Sequence, residues 1–164
     1  MKNIAFYIFM KLLFPIVLIL PVKLHAQQLS FKLYTVNDGL PGTTTYGAYQ
    51  DKNGYLWICS SNGISRYDGR QFVNYSLADG LPSLQTNIIF QDSSGRIWVG
   101  TAAGMAQFRN NQFITYPTND HFENIYVFRF FETKDKHLWA LTTKGVYEFE
   151  DSIWKKITLY PGYQ

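Results

Sequence analysis

After residue 30, the chain alternates short apolar runs of four or five residues with polar turns that contain Gly, Asn or Asp. The runs are rich in aromatic and β-branched side chains, which suit the pleated, half-buried surface of a sheet. In the middle of the chain the pattern predicts four strands joined by tight turns: Asn87–Gln91, Ile97–Thr101, Met105–Phe108 and Gln112–Tyr116. The runs do not alternate strictly, so we expect neighbours to cover each sheet on both faces.

This four-strand pattern recurs with a constant period. Equivalent positions lie 41 residues apart in the sequence. They are the tryptophans Trp57, Trp98 and Trp139; the glycines Gly63, Gly104 and Gly145; the outer-strand aromatics Phe72, Phe113 and Trp154; and the turn aspartates Asp51 and Asp92. A four-stranded unit of about 40–45 residues has the size of one β-propeller blade. We therefore predict an all-β, incomplete β-propeller with three antiparallel blades at residues 37–77, 78–118 and 119–159.

The ends of the repeat predict more of the ring. Phe31 and Tyr34 lie one full period before Phe72 and Tyr75, so residues 27–36 are expected to form an orphan outer strand that completes the closing blade. Residues 160–164 would begin the next inter-blade segment. A propeller needs at least four blades, so the remaining blades are expected outside these residues.

Residues 1–26 have the pattern of a signal peptide. Lys2 gives a positive start, Leu12–Val22 is an uninterrupted apolar run, and Ala26 is a small residue at the expected cleavage position. The alternative is a membrane anchor over residues 4–22, but that span would carry Lys11 and needs about 20 apolar residues. We expect an exported, periplasmic chain that is attached to a membrane only in a longer form.

Charge argues against a nucleic-acid partner. The net charge of +3 comes from 15 Lys and Arg against 12 Asp and Glu, and Lys2, Lys11 and Lys23 all precede residue 27. The remainder is neutral and has no electrostatic preference for nucleic acid. The single cysteine, Cys59, excludes a disulfide framework, and its place inside a strand predicts a buried, unreactive thiol.

The sequence predicts no catalytic residue, cofactor or metal. His121 and His137 lack the spacing of a metal-ligand pair. No nucleophile elbow or phosphate-binding loop occurs. Residues that recur in every blade are expected to be structural: the tryptophans as wedges between blades, the glycines as backbone hinges, and Asp51 and Asp92 as caps of their turns.

Ligand binding is expected where the repeat is broken. The loops between second and third strands and the inter-blade segments, such as Asp38–Thr44, Asp79–Gln85 and Asp120–Asn124, should share one face. On that face, stacking aromatics and planar polar groups suited to a sugar are available at Tyr46, Gln85, Phe122 and Asn124. The alternative for each is an ordinary solvated loop residue.

The segment Asp51-Lys-Asn-Gly-Tyr-Leu-Trp-Ile-Cys-Ser-Ser-Asn-Gly-Ile64 and its equivalent from Asp92 to Met105 resemble the repeat of two-component regulator propellers. The preceding Asp-Gly-Leu-Pro is also typical of that family. In the third unit Thr133 and Lys136 replace the turn Asp and Gly, so we expect a different turn there. The resemblance implies the periplasmic sensor of a histidine kinase or related regulator, often responsive to carbohydrate and followed by a membrane helix and signalling modules.

These observations lead to three functional hypotheses. The leading one is a non-enzymatic sensor propeller whose partners are a small-molecule or oligosaccharide ligand, the remaining blades and downstream signalling modules. The second is a secreted propeller enzyme that acts on polysaccharide. The third is a binding module in which copies of the chain associate through their open blade edges.

Overall fold

The computed structural model describes residues 31–119 and 125–158, and the chain divides into two units, Met1–Leu33 and Tyr34–Gln164. In the first unit, residues 31–33 have no regular structure, and Phe31 and Leu33 are 87% and 83% exposed. The predicted signal peptide and residues 120–124 lie outside the described residues.

The described part of the second unit contains three separate four-stranded sheets. Blade 1 consists of β1 (Thr45–Gln50), β2 (Leu56–Ser60), β3 (Gly63–Tyr67) and β4 (Phe72–Tyr75); blade 2 of β5 (Thr86–Gln91), β6 (Ile97–Thr101), β7 (Gly104–Arg109) and β8 (Gln112–Thr115); blade 3 of β9 (Val127–Glu132), β10 (Leu138–Thr142), β11 (Gly145–Glu150) and β12 (Ile153–Lys156). Sequential strands pair antiparallel within each blade. The predicted open, three-bladed all-β architecture is confirmed.

Residues 31–35, predicted as part of an orphan outer strand, form no strand in this structure. An extended segment becomes a strand only when a neighbour satisfies its backbone hydrogen bonds. No sheet of the described residues pairs with them. Their place in a closing blade therefore stays a prediction.

The inter-blade segments are built around short 3₁₀ turns, Val36–Asp38 and Leu77–Asp79. Thr35 and Ser76 cap these turns, and the Asp at the end of each turn returns the bond in a capping box. The next residue in the second segment, Gly80, has φ 91°, and a Cβ there would lie 2.0 Å from the carbonyl oxygen of Phe113. This close approach explains the Gly of the Asp-Gly-Leu-Pro motif.

The core lies between blades, where tryptophans wedge one sheet against the next. Trp57 is 1% exposed, and its ring meets that of Phe108 in blade 2 edge to face at 4.9 Å. Trp98 is fully buried and meets Phe149 of blade 3 in the same way at 4.7 Å. The predicted wedge role is therefore confirmed for two of the three tryptophans. Trp139 is half-buried and stacks on Phe131 of its own blade.

An aspartate holds each of the two wedges. The Oδ2 atom of Asp51 accepts a hydrogen bond from Trp57 Nε1 at 2.8 Å, while its Oδ1 atom accepts bonds from two N–H groups of the turn. Asp92 accepts from Trp98 Nε1 at 3.0 Å and from the backbone N–H of Arg96. The predicted turn caps are confirmed, and the same carboxylate also fixes the indole.

The prediction of a different turn in blade 3 is wrong. Thr133 and Lys136 make the same backbone hydrogen bonds as the turn Asp and Gly of the other two blades. The N–H of Thr133 donates to the carbonyl of His137, and the N–H of Lys136 donates to the carbonyl of Thr133, each at 3.0 Å. Lys136 adopts a left-handed φ of 66°, in the region that glycine occupies in the other two turns. The loss of the carboxylate has a different consequence, since Trp139 Nε1 is buried and has no hydrogen-bond partner among the described residues.

Replacing Thr133 by Asp is expected to raise the free energy of unfolding by about 1 kcal/mol, because it supplies an acceptor for Trp139 Nε1. Urea unfolding followed by far-UV circular dichroism measures the change. The control, Thr133→Ala, removes the hydroxyl that accepts from the N–H of His137 and should destabilise the chain. Equal stability of the Asp variant and the wild type would contradict this account of the turn.

Candidate functional site

Rigid hairpin loops form the face on which ligand binding was predicted. Ser60, Thr101 and Thr142 each donate their hydroxyl to a glycine carbonyl three residues later, at 2.8–2.9 Å, and accept an N–H from within the loop. The same two hydrogen bonds therefore hold the equivalent hairpin loop of each blade. These loops present a fixed backbone rather than an adaptable one.

The hairpin loops of blades 1 and 2 meet the inter-blade segments Asp38–Thr44 and Asp79–Gln85, as predicted, whereas the third predicted segment, Asp120–Asn124, lies outside the described residues. Loop N–H groups donate to the residue near the start of each inner strand: Ser61 to Thr44, Ala102 to Gln85 and Thr143 to Tyr126, at 2.9–3.0 Å. The described parts of these segments therefore share one rim of the blades.

A β-bulge occurs at the same point of each inner strand. In β1 the register passes from Thr45 directly to Gly47, which leaves Tyr46 unpaired. The corresponding breaks leave out Asn87 in β5 and Phe128 in β9. A bulge redirects a side chain and is common next to functional sites. We call Tyr46, Asn87 and Phe128 the bulge row.

The bulge row combines very different side chains at one repeat position. Tyr46 and Phe128 are 47% and 53% exposed, and the Phe128 ring lies 5.0 Å from that of Tyr126. In the blade between them, both polar atoms of the Asn87 amide are buried and lack a hydrogen-bond partner among the described residues. The row therefore has exposed aromatic rings in blades 1 and 3 and, in blade 2, a buried amide that no described protein group satisfies.

Of the four predicted ligand residues, two can be placed. Tyr46 belongs to the bulge row, and Gln85 precedes β5, where its backbone carbonyl is held by Ala102. Phe122 and Asn124 lie outside the described residues, so their role stays a prediction. Sequence reasoning missed Asn87 and Phe128, although the repeat register aligns both with Tyr46.

Titratable groups do not converge in the described part of the chain. Within residues 31–119 and 125–158, no three His, Cys, Asp or Glu side chains are placed to hold a metal ion. His137 pairs through Nδ1 with Glu148 of β11, and its side chain is 58% exposed. Over the same ranges, no helix has the length and apolarity to cross a membrane.

Cys59 lies in β2 at the boundary with blade 2 and is fully buried. Burial raises the pKa of its thiol to about 12, although a hydrogen bond with Thr86 opposes the shift. The reactive species of a cysteine is the thiolate. The prediction of a buried thiol is confirmed, and its low reactivity stays a prediction.

Residues 39–62 and 80–103 match the family model described as "Two component regulator propeller". One matched segment lies in each of the first two blade repeats. Each match contains the end of an inter-blade segment, the inner strand with its bulge, the Asp-capped turn and the Trp-bearing second strand. A search of curated proteins found no match to this sequence.

Two solved structures share the fold. The extracellular domain of BT3049 from B. thetaiotaomicron, assigned to a hybrid two-component system, superposes on 73% of this chain with a TM-score of 0.64 and 22% identity. The extracellular domain of BT4673, from the same organism and assigned to a one-component system, superposes on 80% with a TM-score of 0.66 and 18% identity. The chain spans about a fifth of either structure, 19% and 21%.

The solved structure of an enzyme also superposes on part of this chain. Virginiamycin B lyase from Staphylococcus aureus matches 66% of this chain and 39% of its own at 18% identity, with a TM-score of 0.49. A superposition of that quality supports no functional argument. The similarity therefore does not favour the enzyme hypothesis.

In the folded chain, Cys59 is expected to resist Ellman's reagent at about pH 8 and to react only after unfolding, because the thiolate is scarcely populated. The Cys59 thiol has a pKa of about 12 in the folded chain and an ordinary value of 9.0, so the free energy of unfolding also depends on pH. The stability from keeping the thiol neutral is complete below pH 9 and is lost as the pH rises from 9 towards 12.

Urea unfolding at several pH values tests this linkage. The control is Cys59→Ala, which should lose that component of the alkaline decline while keeping the others. Rapid labelling of the native thiol at about pH 8, or identical pH profiles for both proteins, would contradict the burial argument.

Proposed function

We propose that this chain is part of the extracytoplasmic, ligand-sensing propeller of a two-component regulator, and that the ligand is a carbohydrate. The observation that carries the proposal is the repeat match in two consecutive blades. The shared fold with an extracellular domain assigned to a hybrid two-component system supports it. The partners are then the remaining blades and the downstream signalling modules.

The structural residues of the repeat leave a limited surface for recognition. The tryptophans and aspartates of blades 1 and 2 are used in the blade interfaces, and the hairpin hydroxyls are used in loop braces. What differs between blades on the same rim is the bulge row and the residues before it. Ligand specificity is therefore assigned to the rim rather than to the positions that recur in every blade.

The chemistry of the rim suits a sugar. Small-ligand sites combine apolar and aromatic surface with a few placed polar groups. Tyr46 and Phe128 provide exposed rings for the C–H face of a pyranose, and the Tyr46 hydroxyl and the Gln85 amide provide hydrogen-bonding groups on the same rim. Rigid hairpin loops would keep these groups in place before the ligand arrives, which lowers the entropic cost of binding.

Phe128→Ala and Tyr46→Ala are each expected to weaken oligosaccharide binding by about tenfold, since each removes a stacking surface worth about 1 kcal/mol or more. A glycan array with the purified chain selects the oligosaccharide, and titration calorimetry measures its affinity. Val73→Ala is the matched control, because Val73 is a 38% exposed apolar residue on the outer strand β4.

Two results would count against the proposal. Failure of the chain to bind any glycan on the array would remove carbohydrate as the ligand. Binding that both rim variants leave unchanged would remove the bulge row as the site while keeping the ligand class.

A further inference from the structure

Asn87, the member of the bulge row in blade 2, has a buried amide that its own packing does not explain. Neither Nδ2 nor Oδ1 has a hydrogen-bond partner in the described part of the chain, where the other buried side-chain atoms of this kind are the indole N–H groups of Trp139 and Trp154. A large apolar ring carries each indole N–H into the core, whereas the Asn87 side chain is mostly amide. Burial of this amide therefore costs free energy without an apolar gain.

The backbone at this position does not require an asparagine. Asparagine tolerates a left-handed φ better than most residues, but φ of Asn87 does not lie in that region. The same bulge forms around Tyr46 in blade 1 and Phe128 in blade 3. A polar side chain that is buried, unsatisfied and not needed by the local fold is a candidate for a functional role.

The chain that leads into Asn87 is fixed by the hairpin loop of blade 1. Thr86 is fully buried, and its Oγ1 atom accepts the N–H of Ser60 at 2.9 Å and donates to the carbonyl of Gly63 at 2.9 Å. The N–H of Gly63 in turn donates to the carbonyl of Leu84 at 2.6 Å. The backbone before Asn87 is therefore held in place, as a binding residue requires, while its amide is left without bonds.

Asn87 lies beside the exposed aromatic part of the bulge row. A Cβ on Gly47, the residue after Tyr46, would lie 3.6 Å from the carbonyl oxygen of Asn87, so β1 and β5 are in contact at this point. Asn87 as a whole is only partly buried, although its amide atoms are covered. A change of side-chain rotamer, which is common when an interface forms, would turn the amide towards the open side of the rim.

We propose that Asn87 determines specificity at the rim by binding two neighbouring hydroxyls of the sugar, and that the ligand-free chain carries its unsatisfied amide at the expense of stability. The amide needs an acceptor for its N–H groups and a donor for its oxygen, and a hydroxyl can serve as either. Neighbouring hydroxyls on a sugar ring supply both at once. This inference rests on the proposed function and adds to it the residue that recognises the hydroxyls.

Asn87→Leu tests the cost of the amide on the full chain without any ligand. Leucine has nearly the same shape but no polar atoms, so we expect the thermal unfolding midpoint, followed by far-UV circular dichroism, to rise by about 3 °C. The matched control is Asn74→Leu on β4. The Asn74 amide donates to the carbonyl of Gly39 at 2.8 Å and accepts from the hydroxyl of Ser65, so its loss should lower the midpoint.

The binding arm uses the oligosaccharide that the glycan array selects. Asn87→Leu should weaken its binding in titration calorimetry by at least about tenfold, because two sugar hydroxyls would lose their hydrogen bonds to the amide. Val73→Ala on β4 should bind like the wild type. Deoxy analogues of the same oligosaccharide, each lacking one hydroxyl, should include two that bind the wild type more weakly than the parent sugar does but bind Asn87→Leu as well as the parent sugar does.

Two results would overturn this inference alone. A lower unfolding midpoint for Asn87→Leu would show that the amide is already satisfied in the folded chain, for example through a bound water. An unchanged affinity of Asn87→Leu for the oligosaccharide would remove Asn87 from the site and leave carbohydrate as the ligand class. Binding of no glycan by the wild-type chain would instead overturn the proposed ligand class, and this inference with it.

Discussion

The tryptophan wedge between neighbouring blades is the interaction on which the rest of this structure depends. No blade has an apolar interior of its own, because a single sheet can bury its faces only against another layer. Trp57 and Trp98 are almost completely buried, yet their main ring partners, Phe108 and Phe149, belong to the following blade. Burying about 200 Å² of a tryptophan stabilises an interface by about 5 kcal/mol on area grounds. Stability is therefore shared between neighbours, as in other repeat proteins.

The burial of these tryptophans explains why an aspartate recurs in the turn before them. A buried indole N–H needs an acceptor, and Asp51 and Asp92 provide one while they cap the adjacent turn. In blade 3, Thr133 keeps the turn but not the acceptor, and the same blade leaves Trp139 only half-buried. The loss of the aspartate and the incomplete burial of the wedge thus occur together in the blade that has no following neighbour among the described residues.

The proposed ligand site lies at positions that this packing does not use. The bulge at each inner strand takes one residue out of the ladder, so its side chain is freed from the requirements of strand pairing. Tyr, Asn and Phe occupy that position in the three blades, whereas the first residue of the turn before the wedge-bearing strand stays aspartate in both blades that match the repeat. A propeller of this kind separates a uniform scaffold from a variable rim.

The sequence alone determined the features that arise from local chemistry. Apolar runs, Gly-containing turns and the repeat period located the blade 2 strands to within one residue of their observed ends and identified Cys59 as buried. Tyr46 was found as a rim residue, but its partners in the bulge row were not, because a bulge depends on the register between strands. Contacts between blades were also decided only in the tertiary structure: Lys52 and Gln91 are 39 residues apart, and a Cβ on Gly100 would lie 2.7 Å from a side chain of blade 3. Local periodicity specifies a blade, whereas the space between two blades is fixed only when both are packed together.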